Sequence, residues 1–357
     1  MVMMTCFSEK GEKPVIKEWN LLRTIACLSI VFLHSTSQTA VSVGGYPASG
    51  AYSVLRVALC YATPTFVILS EIILANRYPD ELPKNFWKKR LKWILAPFLT
   101  FAVIDALASY HLNPAVDIGL MIQKNLLGNY EGYFVLIIFQ FYALHYLVTK
   151  YKIPVSWLLP VSLIVMSLHF QFMEGSHRSI KENLSYLKVP FTAWFAYFAV
   201  AYAIGKHYKT VAVKLQQYRY LTIAGVGLSL ALVYIFFKAG YTGVGSKRLD
   251  LFPLTVAVSL FILAWGQRLP GSRIINLISN YSFGIYLVHW QVQRYLASYT
   301  AQLFEQTYLQ VFSLFFITLI LSMGLIKLVS LLPGGAYLVG NIRRKRKVVS
   351  APLPKTA

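Results

Sequence analysis

Long apolar stretches alternate with short polar connections from about residue 20 to residue 330. About 20 apolar residues in an α-helix are enough to cross the hydrocarbon core of a bilayer. The pattern therefore predicts an all-α fold, a polytopic transmembrane helical bundle of about ten spans. The predicted spans are 20–40, 53–75, 93–112, 132–149, 154–171, 189–206, 219–237, 251–267, 281–300 and 308–330.

Polar segments flank this region on both sides. Residues 1–18 contain lysines and glutamates but neither an apolar run nor a small-residue cleavage site, which indicates a retained tail rather than a signal peptide. Residues 332–357 contain the basic run Arg343–Lys347. We expect one membrane domain over residues 19–331, with a cytoplasmic N-terminal tail and a basic cytoplasmic C-terminal tail.

The basic residues sort strongly between the two sides of this topology. Numbering the spans in alternation puts 23 lysines and arginines on the side of both termini and 7 on the other side. Cytoplasmic loops carry the excess of positive charge in membrane proteins. The asymmetry predicts a multi-pass protein of the cell membrane with both termini in the cytoplasm.

Composition supports a membrane protein and narrows the function. The chain is 57% hydrophobic and only 13% charged, whereas soluble domains carry about 25% charged residues. The net charge of +21 could suggest nucleic acid as a partner, but the charges lie between apolar runs and no RNA-binding signature accompanies them. Basic loops that set the topology explain the charge, and we expect no nucleic-acid partner. The three cysteines have no metal-ligand spacing, so neither a metal site nor a disulfide is expected.

Ionisable residues inside the predicted spans are costly in lipid and are candidates for function. Four of them lie near span ends and are explained better as interface anchors: His145, His169, Arg294 and Lys327. The others are Arg23, His34, Arg56, Glu71, Asp105 and His289.

Arg23 and His34 share one face of the first span. They are eleven positions apart, and eleven steps of 100° return to within about 20° of the same direction, about 16 Å further along the axis. Arg23 then lies near the cytoplasmic interface, where it could bind an anion or simply anchor the helix. His34 lies past the midplane, where it could transfer a proton or simply pack.

Two carboxylates fall at matching depths. Glu71 lies near the level of Arg23 and could pair with it or with another basic residue. Asp105 lies near the level of His34, and a carboxylate beside a histidine orients and charge-stabilises its ring. We predict His34 and Asp105 as the catalytic pair.

Four segments, in order along the chain, are similar to the membrane-bound acyltransferase family 3. They are the arginine, ten residues, then histidine of Arg23–His34, the segment Pro64–Ser70, the basic approach Phe86–Pro97 and the late segment Ser279–His289. Ser70 is followed here by Glu71, where the family often has glycine. The first span is also similar to the subgroup linked to biofilm poly-N-acetylglucosamine, whose members have been regarded as O-acyltransferases or as exporters.

The resemblance implies transfer of an acetyl or succinyl group from cytosolic acyl-CoA, as co-substrate, to a hydroxyl of a cell-surface polysaccharide. Arg23, Lys88, Lys89 and Arg90 would then bind the CoA phosphates, and His34 would act as the base near the thioester. An exporter that leaves the glycan unmodified, or a non-catalytic partner of a polysaccharide synthase, are the alternative interpretations.

Overall fold

The computed structural model describes residues 15–175, 184–340, 342 and 348–349. Residues 1–14 of the predicted N-terminal tail and the basic run Arg343–Lys347 lie outside this part of the chain. The helices are α1 (Lys17–Val43), α2 (Gly50–Leu59), α3 (Ala62–Arg77), α4 (Phe86–Arg90), α5 (Ala96–Leu112), α6 (Ile118–Leu126), α7 (Phe134–Lys150), α8 (Val155–Gly175), α9 (Leu184–Leu187), α10 (Phe195–Lys206), α11 (Tyr208–Gln217), α12 (Arg219–Lys238), α13 (Leu251–Gly266), α14 (Arg273–Leu303), α15 (Thr307–Leu331) and α16 (Ala336–Val339).

The predicted all-α polytopic bundle is confirmed. Seven helical segments of the described chain are long and apolar enough to cross a membrane: Lys17–Val43, Gly50–Arg77, Phe86–Leu112, Ile118–Lys150, Val155–Met173, Arg219–Lys238 and Thr307–Leu331. The other three predicted spans fall on the shorter apolar helix α13, on the 31-residue helix α14, and on α10 with the 3₁₀ turn before it. Ten spans remains a prediction.

Proline residues explain two departures from regular helix. The second predicted span is divided at Cys60 and Tyr61, because Pro64 lacks the amide that would bond to the Cys60 carbonyl. A π-helical turn over Leu91–Leu95 joins α4 to α5, directly before Pro97. A third break, between α6 and α7, contains the 3₁₀ turn Glu131–Tyr133.

Helix α1 is the central element of the bundle, because it packs against α3, α13, α14 and α15. Small residues allow close approach at two crossings. A Cβ atom on Gly266 of α13 would lie 2.9 Å from Glu18 Cβ of α1, and one on Gly205 of α10 would lie 2.5 Å from the Ile72 carbonyl oxygen of α3. Such crossings are typical of helices that associate in membranes.

The two ends of the described chain meet. The strand β1 (Val15–Ile16) pairs in parallel with the strand β2 (Val348–Val349). Because β1 leads into α1 and β2 follows the last helices, both ends of the bundle lie on one face.

Candidate active site

His34 of α1 lies beside the carboxylate of Glu131. The Nε2 atom of His34 is 3.3 Å from Glu131 Oε2, and the two side chains are 17% and 30% exposed. A ligand can therefore reach both groups. In the neutral tautomer that turns Nε2–H to the carboxylate, Nδ1 keeps a lone pair that can accept a proton.

The turn that carries Glu131 is held from two sides. The Tyr286 hydroxyl of α14 donates a hydrogen bond to the Glu131 carbonyl, and the Tyr130 hydroxyl donates to the Phe98 carbonyl at 2.7 Å. The Tyr130 ring occupies the space that a Cβ atom on Gly132 would need. A glycine directly after Glu131 thus lets the chain turn tightly and aim the carboxylate at His34.

Two rings of α14 pack against the His34 imidazole. The Trp290 ring meets it edge-on with centroids 5.0 Å apart, and the His289 ring lies 5.3 Å away. His289 is fully buried, and its Nδ1 is 3.0 Å from the Ile285 carbonyl. A histidine that packs within a helix bundle forms such a bond to its own helix. The His289 ring is therefore held in place and packs against the His34 ring.

Positive charge borders the site on the side of Glu131. The Lys188 amine lies 4.4 Å from the centroid of the Tyr133 ring, in the same turn as Glu131. Burial lowers the pKa of Lys188 below its ordinary value, and the Glu131 carboxylate opposes that shift. Burial, assisted by the ammonium of Lys188, lowers the pKa of Lys247 to about 8.

Asp105 does not contact His34. Its Oδ2 accepts a hydrogen bond from Asn125 at 2.9 Å, and its Oδ1 accepts from Gln291 at 2.7 Å and from Arg294 at 3.2 Å. Arg294 supplies the opposite charge, and the side-chain amides of Asn125 and Gln291 supply the other two hydrogen bonds. This carboxylate therefore ties α5 to α6 and α14. The carboxylate that the structure pairs with His34 is Glu131 instead.

Arg23 belongs to a polar seam between α1 and α14. Its Nη1 donates to Ser279 Oγ at 3.1 Å, and Ser279 Oγ donates in turn to Asn20 Oδ1 at 3.1 Å. The Asn20 amide reaches Asn276 Oδ1 at 2.8 Å. These bonds hold the guanidinium on α1, about three helical turns before His34.

The other predicted donor-binding residues lie on α4. Lys88 and Lys89 are exposed, and the Arg90 guanidinium lies over the rings of Phe86 and Tyr142 at 4.9 and 5.0 Å. Lys88 and Lys89 can therefore meet a ligand from solution, whereas Arg90 also fixes α4 against α7.

Glu71 pairs with a histidine rather than with Arg23. Its Oε1 is 2.7 Å from His145 Nδ1, both side chains are fully buried, and His145 Nε2 is 2.9 Å from the Tyr78 carbonyl. The pair joins α3, α7 and the connection after α3. Within the described residues, no group of three or more histidine, cysteine, aspartate or glutamate side chains has a metal-binding arrangement.

Glu131 is the residue that sequence reasoning missed. It lies one position before the predicted fourth span, so the pattern of apolar runs does not place it among the intramembrane carboxylates. One signal could have found it, namely an acidic residue between Gly128 and Gly132, where the chain turns between two apolar runs. A turn at this point brings its carboxylate to the N-terminal end of the predicted fourth span.

Comparisons with known proteins identify the family of the chain. A family model described as an acyltransferase domain matches residues 16–327. A Bacillus subtilis (strain 168) protein named "Putative membrane-bound acyltransferase YfiQ" is 37% identical over 289 residues, covering 77% of this chain and 80% of the relative.

Two staphylococcal relatives carry a different name. A "Probable poly-beta-1,6-N-acetyl-D-glucosamine export protein" of Staphylococcus aureus (strain N315) is 25% identical over 334 residues, covering 88% of this chain and 93% of the relative. A protein of the same name from Staphylococcus epidermidis is 25% identical over 301 residues, covering 78% and 81%. No solved structure matches the chain. Since the family model covers most of the residues, this chain belongs to the membrane-bound acyltransferase family 3.

Proposed function

We propose that the chain transfers an acyl group, acetyl or succinyl, from cytosolic acyl-CoA to a hydroxyl of a cell-surface glycan. The observation that carries this proposal is the contact between His34 and Glu131, on the same face of α1 as Arg23. A histidine held by a carboxylate is a general base, and it lies about 16 Å along the helix from a guanidinium suited to phosphate.

His34 takes the proton of the reacting hydroxyl. The hydroxyl oxygen attacks the thioester carbonyl carbon while its proton passes to His34 Nδ1. The carbon–sulfur bond then breaks, and the thiolate of CoA accepts this proton from His34. Glu131 holds Nε2–H and stabilises the imidazolium that exists between these two transfers. No net proton is released, so the base is restored in each cycle.

The donor is held from the cytosolic side. Arg23, Lys88, Lys89 and Arg90 bind the phosphates of CoA through charge-assisted hydrogen bonds. The pantetheine arm extends along α1 towards His34. Arg23 is fixed by Ser279, so little side-chain entropy is lost when the guanidinium binds an anion.

The orientation follows from charge and from the paired ends. Both termini are cytoplasmic in this proposal, because the side of the termini carries 23 basic residues against 7. Pairing of β1 with β2 supports it, since ends on one face require an even number of crossings. His34 then opens towards the outside, where a glycan acceptor is available.

His34→Ala tests the proposal. Purified protein in lipid nanodiscs is incubated with radiolabelled acetyl-CoA or succinyl-CoA and glycan fragments. General-base assistance contributes about 10²–10⁴-fold, so the variant is expected to lose nearly all transfer while its yield stays normal. A His34→Ala variant with the wild-type rate per molecule would contradict the enzyme function.

A glycan exporter is the second candidate, and the names of the two staphylococcal relatives favour it. An exporter needs a continuous path for the polymer rather than a base near a cytosolic thioester. His34→Ala would then reduce polymer outside the cell while the acyl content per sugar stayed normal. Measuring both quantities in the same cells separates the two functions. Action as a non-catalytic partner of a synthase predicts neither change.

A further inference from the structure

A cavity of about 650 Å³ lies beside the ends of α3, α7 and α10, away from His34. On the proposed topology it opens to the cytoplasm. One wall is the connection after α3, with Asp80 and Glu81, and the lining also includes Lys150, Lys152 and Lys206. A volume of this size is typical of small-molecule sites and exceeds what a single phosphate fills.

The three lysines approach the cavity from separate places. Lys150 ends α7, Lys206 ends α10, and Lys152 lies in the connection after α7. All three side chains are exposed, and the Lys206 amine is 3.3 Å from the Tyr202 hydroxyl. Their positive charges converge on one space, and Lys150 and Lys206 also lie in the last turns of their helices, where a positive charge is favourable.

Lys152 has an unusual backbone. Its φ is +51°, the left-handed region, and no other non-glycine residue of the described chain has a positive φ. Asparagine or glycine adopts this conformation more readily than lysine. Here it ends helix α7, because the Lys152 and Ile153 amides bond back to the Thr149 and Val148 carbonyls at 3.2 and 3.0 Å. This left-handed helix cap places Lys152 at the rim of the cavity.

Buried groups hold the wall of the cavity in place. His145 is fully buried and paired with Glu71, and its Nε2 lies 2.9 Å from the Tyr78 carbonyl, directly before Pro79 of the wall. The Tyr202 ring packs 5.7 Å from the His145 ring and presents its hydroxyl to Lys206. The wall and one of the three lysines are thus tied to the same buried pair.

The lining suits a nucleotide better than a simple anion. Three lysines can bind phosphate, while the Tyr146 ring, 42% exposed, offers a surface on which a base can stack. Asp80 and Glu81 can accept hydrogen bonds from ribose hydroxyls or an exocyclic amine, but they would repel a purely anionic head group. The same connection continues into α4, with Lys88 and Lys89.

We propose that this cavity binds the 3′-phosphoadenosine end of the acyl donor, with Lys150, Lys152 and Lys206 on its phosphates and Tyr146 against its base. The inference rests on the proposed use of acyl-CoA and adds a subsite to it. The α4 lysines then meet the diphosphate, and the pantetheine arm leads from there towards His34.

Binding of adenosine 3′,5′-bisphosphate by the full chain, in nanodiscs of neutral phosphatidylcholine, tests the subsite directly. Lys150→Ala combined with Lys206→Ala is expected to raise its Kd at least about tenfold, because charge-assisted contacts are lost. Lys209→Ala is the matched control, since this lysine is exposed on α11 and does not line the cavity. Equal affinity in the double variant and the control would overturn the proposal.

Lys152→Gly separates binding from folding. Glycine relieves the left-handed backbone, so the melting temperature is expected to stay the same or rise while nucleotide affinity falls. A purely structural Lys152 predicts that affinity does not change, and this result would also overturn the proposal.

Acyl donors separate this proposal from the proposed function. In the double variant, transfer from acyl-CoA is expected to show a raised KM with kcat unchanged, whereas transfer from S-acyl-pantetheine, which lacks the nucleotide, is unaffected. If His34→Ala is inactive but the double variant keeps the wild-type KM for acyl-CoA, the proposed subsite is wrong and the proposed function stands. If phosphatidylglycerol vesicles bind through these lysines and adenosine 3′,5′-bisphosphate does not, the cavity belongs to a lipid head group and the proposal is overturned.

Discussion

Replacing Glu131 by glutamine removes the charge beside His34 and keeps the size of the side chain. Opposite unit charges 3.3 Å apart attract by about 5 kcal/mol at an effective dielectric constant near 20. Solvent reaches both side chains, which reduces the attraction to about 2–3 kcal/mol. In the proposed mechanism the charge on His34 develops during transfer, so the loss falls on the transition state, and kcat should drop roughly 10²-fold.

The assay is transfer of radiolabel from acyl-CoA to glycan fragments by purified protein in nanodiscs, normalised to folded protein. Glu305→Gln is the control, because Glu305 is an exposed carboxylate remote in sequence from the site. Glu131→Gln should add nothing further in a His34→Ala background, since the carboxylate acts through the histidine. A Glu131→Gln variant with the wild-type kcat would refute the role of this carboxylate.

Asp105→Asn gives the contrast that makes the Glu131 result specific. Asp105 holds Arg294 and two amides, so removing its charge leaves a largely buried guanidinium without its counter-charge. Breaking such a pair costs about 3–5 kcal/mol, and the partial exposure of Arg294 places the cost at the lower end or below it. We expect reduced yield and melting temperature with activity per folded molecule largely kept. Loss of activity in well-folded protein would mean that Asp105 acts in the site.

Three further predictions follow from other parts of the chain. Arg23→Lys should raise the KM for acyl-CoA despite the retained charge, because lysine lacks the planar fork that binds phosphate bidentately, and an unchanged KM would leave Arg23 as a helix anchor. A cysteine placed near Lys345 should resist an impermeant thiol reagent in intact cells, and external labelling would contradict the cytoplasmic termini. The pKa of the Lys247 amine is lowered to about 8, so this amine should react with an impermeant acylating reagent at pH 8, where an ordinary lysine is almost fully protonated. Lys188→Ala should raise that pKa and slow the reaction, because it removes a neighbouring positive charge. Mass spectrometry measures the extent of modification in both cases.

The proposed donor path depends on how rigidly its two ends are held. At the end near Arg23, the polar seam of Arg23, Ser279 and Asn20 fixes the guanidinium between α1 and α14. At the other end, Trp290 and His289 leave the His34 ring little freedom to turn away from Glu131. A preorganised site of this kind loses little free energy to reorganisation when the substrate arrives.

The sequence alone determined what depends on local periodicity. Runs of apolar residues long enough to cross a bilayer predicted the all-α membrane bundle, because unpaired backbone groups are too costly in lipid for most other structures. The spacing of Arg23 and His34 placed both on one face of α1, since that relation needs only the geometry of a single helix. The order of four short segments along the chain was enough to identify the family.

Tertiary structure alone decided which carboxylate meets His34. Depth in the bilayer made Asp105 a candidate, but depth says nothing about which helices touch, and Arg294 and two amides from other helices claim its oxygens. Glu131 reaches His34 because the chain breaks between α6 and α7 and the turn is fixed by Tyr286 of α14. Contacts between residues 97 positions apart arise from the packing of several helices at once, and the period of one helix carries no record of that packing.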